Sequence, residues 1–245
     1  MTDETQTFVE RYDQIILDST IRSQYRDSGF YNVGDWSSSP ASIEAACSDL
    51  VRKHIRQADV NSPDLVVVDV GCGLGDTTAL IAASCHQGSR VVGINISDAQ
   101  VAEAKRRHPD LAFQVMDATN LMFEDASVDR IIAVESMFHF NTRAAFLTEA
   151  RRVLKTGGRL VTTDMLFRQD SPALEWWVPA ANRGLRLDDY PSACRQAGLV
   201  VESIDDITAT TWTAFCAHLR TIGHMVAADR FEMCVEHYVI ITIIL

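Results

Sequence analysis

Three glycines in five residues, Gly71, Gly73 and Gly75, follow closely on an acid in the run Asp69-Val-Gly-Cys-Gly-Leu-Gly75. Glycine lets a chain turn sharply and lets its backbone approach a ligand closely. The run follows a short apolar stretch, 65–70, and leads into a helical pattern. That is where open α/β sheets hold their ligands, at the carboxyl ends of strands. A dinucleotide fingerprint is spaced GxGxxG and turns a helix N-terminus toward a pyrophosphate. Here the spacing is GxGxG and a carboxylate precedes it, which disfavours a phosphate and favours a cationic ligand. A nicotinamide-dependent dehydrogenase is therefore the weaker reading, and a tight turn without a ligand is the plainer one.

A second group of residues suits proton transfer. His139 lies just past a fourth apolar run, in Glu135-Ser-Met-Phe-His139-Phe, and Asp164 ends a fifth. If the two runs are neighbouring strands, the carboxylate stands beside the imidazole, orients it and favours its protonated form. A structural histidine and a loop-capping aspartate are the bland alternative. The other histidines fall on helices or in irregular segments and read as structural.

These residues need a scaffold. Short apolar runs at 65–70, 90–96, 111–116, 128–134 and 159–165 read as strands. Helical patterns at 77–83, 97–108 and 142–154 alternate with them, Ser97 being an N-cap and Gly157-Gly158 a stop. Strands alternating with helices make a parallel sheet covered on both faces. Upstream, 8–28 and 42–58 read as helices, with Asn61-Ser-Pro63 ending the second. Downstream, 166–187 is irregular, 188–197 and 212–228 are helices, and 199–207 and 235–245 are strands.

The formal net charge is −11, and the basic residues are scattered, so nucleic acid is an unfavourable partner. With 47% apolar residues, 245 residues build a sizeable core without disulfide or metal. None of Cys47, Cys72, Cys85, Cys194, Cys216 and Cys234 forms a CxxC pair or a zinc-spaced cluster, so no metal is expected and the thiols read as reduced. The polar, acidic start MTDETQTFVE is unlike a signal or transit peptide, and the apolar end is too short to span a bilayer. A cytoplasmic protein without a membrane partner is expected.

DVGCGLGD resembles the first motif of class I S-adenosylmethionine-dependent methyltransferases. The resemblance continues in register through VVGINIS, MDATNL, AVESMFHF and EARRVLKTGGRLVTTDML, along residues 60–165. FYNVGDW is similar to the lid segment of the subgroup that includes tocopherol-type, sarcosine/dimethylglycine-type and many natural-product O-methyltransferases. Most of the chain is covered, least so 166–234. The resemblance implies an α/β fold: a Rossmann-like, doubly wound seven-stranded sheet in a single methyltransferase domain. Residues 1–58 would form an N-terminal helical lid and 60–165 the cofactor-binding core. Residues 166–245 would add a helical acceptor cap and the last two strands.

It also implies site residues. Asp69, Gly71, Cys72, Gly73 and Gly75 would hold the methionine end of S-adenosylmethionine, whose product is S-adenosylhomocysteine. Asp117 would accept from the adenine amino group beside the Ala118 backbone. Most such enzymes end the second strand with an acid for the ribose hydroxyls. This chain has Asn95, followed by Ile96 and with Gln100 downstream, in which it resembles members of the subgroup, and this implies a weaker, uncharged ribose contact. Glu135 lies near the cofactor by position. His139 would be the general base, paired with Asp164. Tyr25, Tyr31, Trp36, Phe138, Trp176, Trp177 and Trp212 would line the acceptor site, although lid and cap packing accounts for such rings equally well.

The implied reaction is methyl transfer to a hydroxyl of a small secondary metabolite. Transfer to nitrogen or carbon by proximity, and a cofactor-bound cyclase that does not methylate, are the alternatives. Both a monomer and a homodimer suit the lid, which folds over its own pocket or exchanges with a neighbour.

Overall fold

The computed structural model describes residues 3–171 and 173–245, with side chains except at 3–8, 20, 173 and 176. Seven strands form one sheet: β1 (Val66–Val70), β2 (Arg90–Asn95), β3 (Ala112–Val115), β4 (Val128–Ala133), β5 (Leu154–Phe167), β6 (Val200–Asp206) and β7 (Val235–Ile244). Their order is β3-β2-β1-β4-β5-β7-β6. β1 to β5 pair in parallel, and β7 runs antiparallel between β5 and β6. This is the Rossmann-like doubly wound sheet the sequence implies.

The apolar runs pair because side chains alternate across a strand. Val67, Ile132, Val161 and Ile240 belong to the core on one face, and Val68, Ile131, Leu160 and Ile241 to the core on the other. A strand buried on both faces must be continuously apolar, which is why the central strands read as unbroken runs.

Among the described residues, ten helices cover the sheet and its ends: α1 (Asp3–Ile16), α2 (Ser19–Gln24), α3 (Ile43–Ala58), α4 (Asp76–Ser84), α5 (Asp98–Arg107), α6 (Arg143–Val153), α7 (Ala173–Trp177), α8 (Tyr190–Gln196), α9 (Ala214–Thr221) and α10 (Met225–Glu232). α3 buries Cys47, Leu50, Val51 and Ile55 on one face of the sheet, while α6 buries Phe146, Leu147 and Ala150 on the other. Ser42, Ser97 and Thr142 cap α3, α5 and α6 by accepting from the backbone N–H three residues on.

Three helix expectations need correction. The pattern over 8–28 is two helices, broken where Asp18 Oδ1 accepts the Ile21 N–H and starts α2. α6 ends at Val153 and runs straight into β5, four residues before the glycines. Gly157 and Gly158 lie in a bulge, where Val128 faces Leu154 and Arg130 already faces Arg159. The expected helix over 212–228 is a π-turn at Ala209–Thr213, then α9 and α10. Gly223, at φ +89°, breaks it.

No helix among the described residues is long and apolar enough to cross a membrane.

Candidate active site

β1 pairs with β2 on one side and β4 on the other, so the strand order reverses at β1. The crevice beyond the carboxyl ends holds a cavity of about 480 Å³. That volume lies within the ~300–1,000 Å³ typical of small-molecule sites.

The glycine loop forms one wall. Gly71 sits at φ +81°, and its N–H and that of Cys72 both donate to the Ile94 carbonyl. A Cβ at Gly71 would come within 2.5 Å of Ser136 Cβ, so only glycine lets the loop close on β4's end. Gly71 lines the cavity, and a Cβ at Gly73 would face open space. Gly75 and Cys72 are turned away. Gly75 packs against His108 and Phe113, and Cys72 belongs to a small core with Val101, Ala104 and Phe113. Their expected place at the cofactor is therefore indirect, through the shape of the loop.

Asp69 is also beneath the loop and does not line the cavity. Thr78 donates to its Oδ2 at 2.6 Å, while its buried Oδ1 has no hydrogen-bond partner. Burial, only partly offset by Thr78, raises the Asp69 carboxyl to about 7. An orphaned carboxylate oxygen behind a glycine cradle suits a cationic ligand.

The other residues expected at the cofactor line the cavity: Asn95, Ile96, Gln100, Asp117, Ala118 and Glu135. Asn95 donates to Gln100 Oε1, and its Oδ1 accepts the Ser97 N–H. Asp117 Oδ1 accepts from the Thr119 N–H and hydroxyl.

Glu135 stands at φ +49°, rare for a non-glycine residue and typical of functional sites. Its Oε1 accepts from the lid's Val33 N–H at 2.7 Å and from the Tyr238 hydroxyl at 2.6 Å. Burial, partly offset by these two donors, raises its carboxyl to about 7. One acid thus joins lid, β4 end and β7.

His139 lines the cavity, but not as half of the expected pair. Its Nδ1 donates to the Trp177 carbonyl at 2.9 Å, which leaves Nε2 as the unprotonated ring nitrogen. Burial lowers its pKa to about 3, with Arg143 and Arg11 adding to the shift.

Asp164 is fully buried and lies outside the cavity lining. Arg143 donates to it twice, from Nε at 2.6 Å and a terminal nitrogen at 2.9 Å, and the Tyr190 hydroxyl donates as well. Against the cost of burial, the Asp164 charge raises the Arg143 pKa. The expectation that Asp164 orients His139 is corrected. The start of α6 brings an arginine between sheet and cap, and an arginine is the stronger partner for a buried carboxylate.

The aromatic residues divide. Tyr31 and Trp177 line the cavity. Tyr25 is buried behind Tyr31, with ring centres 5.2 Å apart. Trp36 stacks on His218 and donates to Val33 O. Phe138 packs between His139 and Phe167, and Trp212 donates to Phe231 O among the cap aromatics. Trp36, Phe138 and Trp212 pack against these neighbours and do not line the cavity. The side chain of Trp176 lies outside the described residues.

The sequence reading missed Tyr12 and Arg11 of α1, which line the cavity. Tyr12 packs 5.1 Å from His139 and 6.0 Å from Trp177. Tyr12 sits on the face of α1 that turns inward, onto the site.

Residues 68–162 match the methyltransferase domain family. Among curated proteins, the chain is similar to the 27-O-demethylrifamycin SV methyltransferase of Amycolatopsis mediterranei, 31% identical over 215 residues, 81% of this chain and 74% of that protein. Among solved structures, it superposes on the [4+2]-cyclase SpnF with a TM-score of 0.77 at 21% identity, covering 98% of this chain and 96% of that one. It also superposes on geranyl diphosphate C-methyltransferase from Streptomyces coelicolor A3(2), with a TM-score of 0.77 at 19% identity, covering 99% and 98%. The chain belongs to the class I S-adenosylmethionine-dependent methyltransferases, among relatives that modify natural products. Its methyl donor is S-adenosylmethionine. The cavity fits that group: a glycine cradle backed, beneath the loop, by the buried carboxylate of Asp69, and the Asp117 carboxylate beside an apolar wall of Ile96, Met116 and Ala118 that suits a base.

Proposed function

We propose that the enzyme methylates a hydroxyl of a small, largely apolar natural-product acceptor, with His139 receiving the proton. The observation that carries this reading is His139 on the wall of the cavity that Gly71 also lines, with Nδ1 donating to the Trp177 carbonyl so that Nε2 is the basic nitrogen of the neutral ring. Asp117 and the Ala118 backbone would hold adenine. Asn95 and Gln100 would hold ribose. Asp69, through the loop it supports, and Glu135 would balance the cationic end.

When bound, S-adenosylmethionine supplies a methyl group on a sulfonium, activated for displacement. The protein's own work is to align the acceptor oxygen, exclude water and take its proton. Tyr12, Tyr31 and Trp177 form the wall against which a flat acceptor would lie. A hydroxyl becomes far more acidic as its oxygen bonds to carbon. A ring with a pKa near 3 can then accept the proton late in the reaction, and it stays unprotonated beforehand at neutral pH.

The test is an acceptor screen read out by S-adenosylhomocysteine release, repeated with His139→Ala. Loss of turnover by ~10²–10⁴-fold with cofactor affinity unchanged is expected. Full activity in the variant would favour transfer to nitrogen or carbon, where proximity suffices. A converted but unmethylated product, with the cofactor unspent, would assign a cyclase.

A further inference from the structure

β2 ends in an amide, Asn95, and a carboxylate reaches that corner from behind. It comes from the lid. Asp13 of α1 accepts from Gln100 Nε2 at 2.7 Å through Oδ1 and from the Ser97 hydroxyl at 2.8 Å through Oδ2. Ser97 and Gln100 both line the cavity, so Asp13 lies one hydrogen bond behind its wall.

The bonds close a ring. Asn95 donates to Gln100 Oε1, Gln100 to Asp13, Ser97 Oγ to Asp13, and the Ser97 N–H to Asn95 Oδ1. Every side chain at the end of β2 is thereby fixed in orientation, with Asp13 as the common acceptor. Gln100 and Ser97, which line the cavity, thus meet a ligand in an orientation that the Asp13 charge sets from behind.

We propose that Asp13 is a positioning residue of the ribose corner: from α1 it orients Gln100 and Ser97, which would meet the ribose hydroxyls. The ribose subsite is then ordered only when α1 is docked, and binding of the nucleoside and closure of the lid become one event. This rests on the reading of the crevice as the cofactor site with Asn95 and Gln100 at its ribose corner.

The experiment is titration calorimetry of the full chain with S-adenosylhomocysteine and with its 2′-deoxyribose analogue. Wild-type protein is expected to prefer the ribose form by about 10-fold or more, and Asp13→Ala to lose about 10- to 100-fold toward it. Asp13→Ala should barely change affinity for the deoxy analogue, so the preference collapses. Asp13→Asn, which keeps shape and loses charge, should fall in the same direction, and thermal melting of the free variants checks that they fold. Equal losses toward both ligands would make Asp13 a lid tether only and overturn the proposal. Unchanged or tighter binding in the variants would overturn it too. Failure of the wild type to bind either ligand would instead remove the cofactor reading itself.

Discussion

The crevice has two halves built in different ways. The cofactor half is made of strand ends and one continuous loop, with Gly71, Asn95 and Asp117 each within two residues of a strand. The acceptor half is made of pieces far apart in sequence: Tyr12 from α1, Tyr31 from the lid, His139 after β4 and Trp177 from the cap. A sheet fixes its strand ends by hydrogen bonding, so backbone geometry positions most of the first half, with Asp13 of α1 steadying one corner of it. The second half exists only where side chains from separate segments meet. On the proposed reading the first half would serve any acceptor and the second would set specificity.

The comparison can be broken in stages. The largest effect is that of His139→Ala described above, which should fall on turnover and leave cofactor affinity intact. Gly71→Ala should do the reverse. Its positive φ and the approach to Ser136 predict about 10- to 100-fold weaker binding of S-adenosylmethionine by calorimetry.

Next comes pH. Asp69 and Glu135 are raised to about 7 in the free protein, and a cationic ligand favours their charged forms. Affinity for S-adenosylmethionine should be full above pH 7 and weaken as pH falls through it, by up to ~10-fold per unit for each group. Glu135→Gln should lower affinity at pH 8 and make the titration shallower. His139, at about 3, should add no inflection in this range.

The smallest effect is that of Trp212→Phe. It loses one hydrogen bond to Phe231 O, worth ~1 kcal/mol, and should lower Tm by ~2–4 °C with kcat/KM within about twofold.

The sheet and the cofactor half were legible in the sequence because their signals are local. Apolar runs, three glycines and an acid at fixed offsets depend on neighbours only. Ser97 was likewise readable as a cap, since its partner is three residues away. The pairing of His139 with Asp164 failed for the opposite reason. Adjacent strands do bring both residues to one end of the sheet, but Arg143, 21 residues from Asp164 in sequence, wins the carboxylate. Which partner wins a buried charge is decided by three-dimensional competition, and nothing local encodes it. Tyr12 and Asp13 were missed similarly. A helical stripe says that one face is covered, not what covers it. Trp36 and Trp212 look like site aromatics by type, yet their indole N–H groups are satisfied by backbone carbonyls inside the lid and cap.

The buried Arg143 has a consequence for redesign. Besides Asp164, it donates to the backbone carbonyl of Asn182, and the Asn182 side chain accepts the Arg143 N–H and donates to Phe140 O. Tyr190 closes the cluster from α8. The cap is thus moored to the sheet at two points, Asn182 and Tyr190, a few residues apart. Segments grafted from relatives between or beyond these moorings inherit a fixed foundation. Acceptor scope becomes an exchangeable part, and the cofactor half beneath it need not be rebuilt.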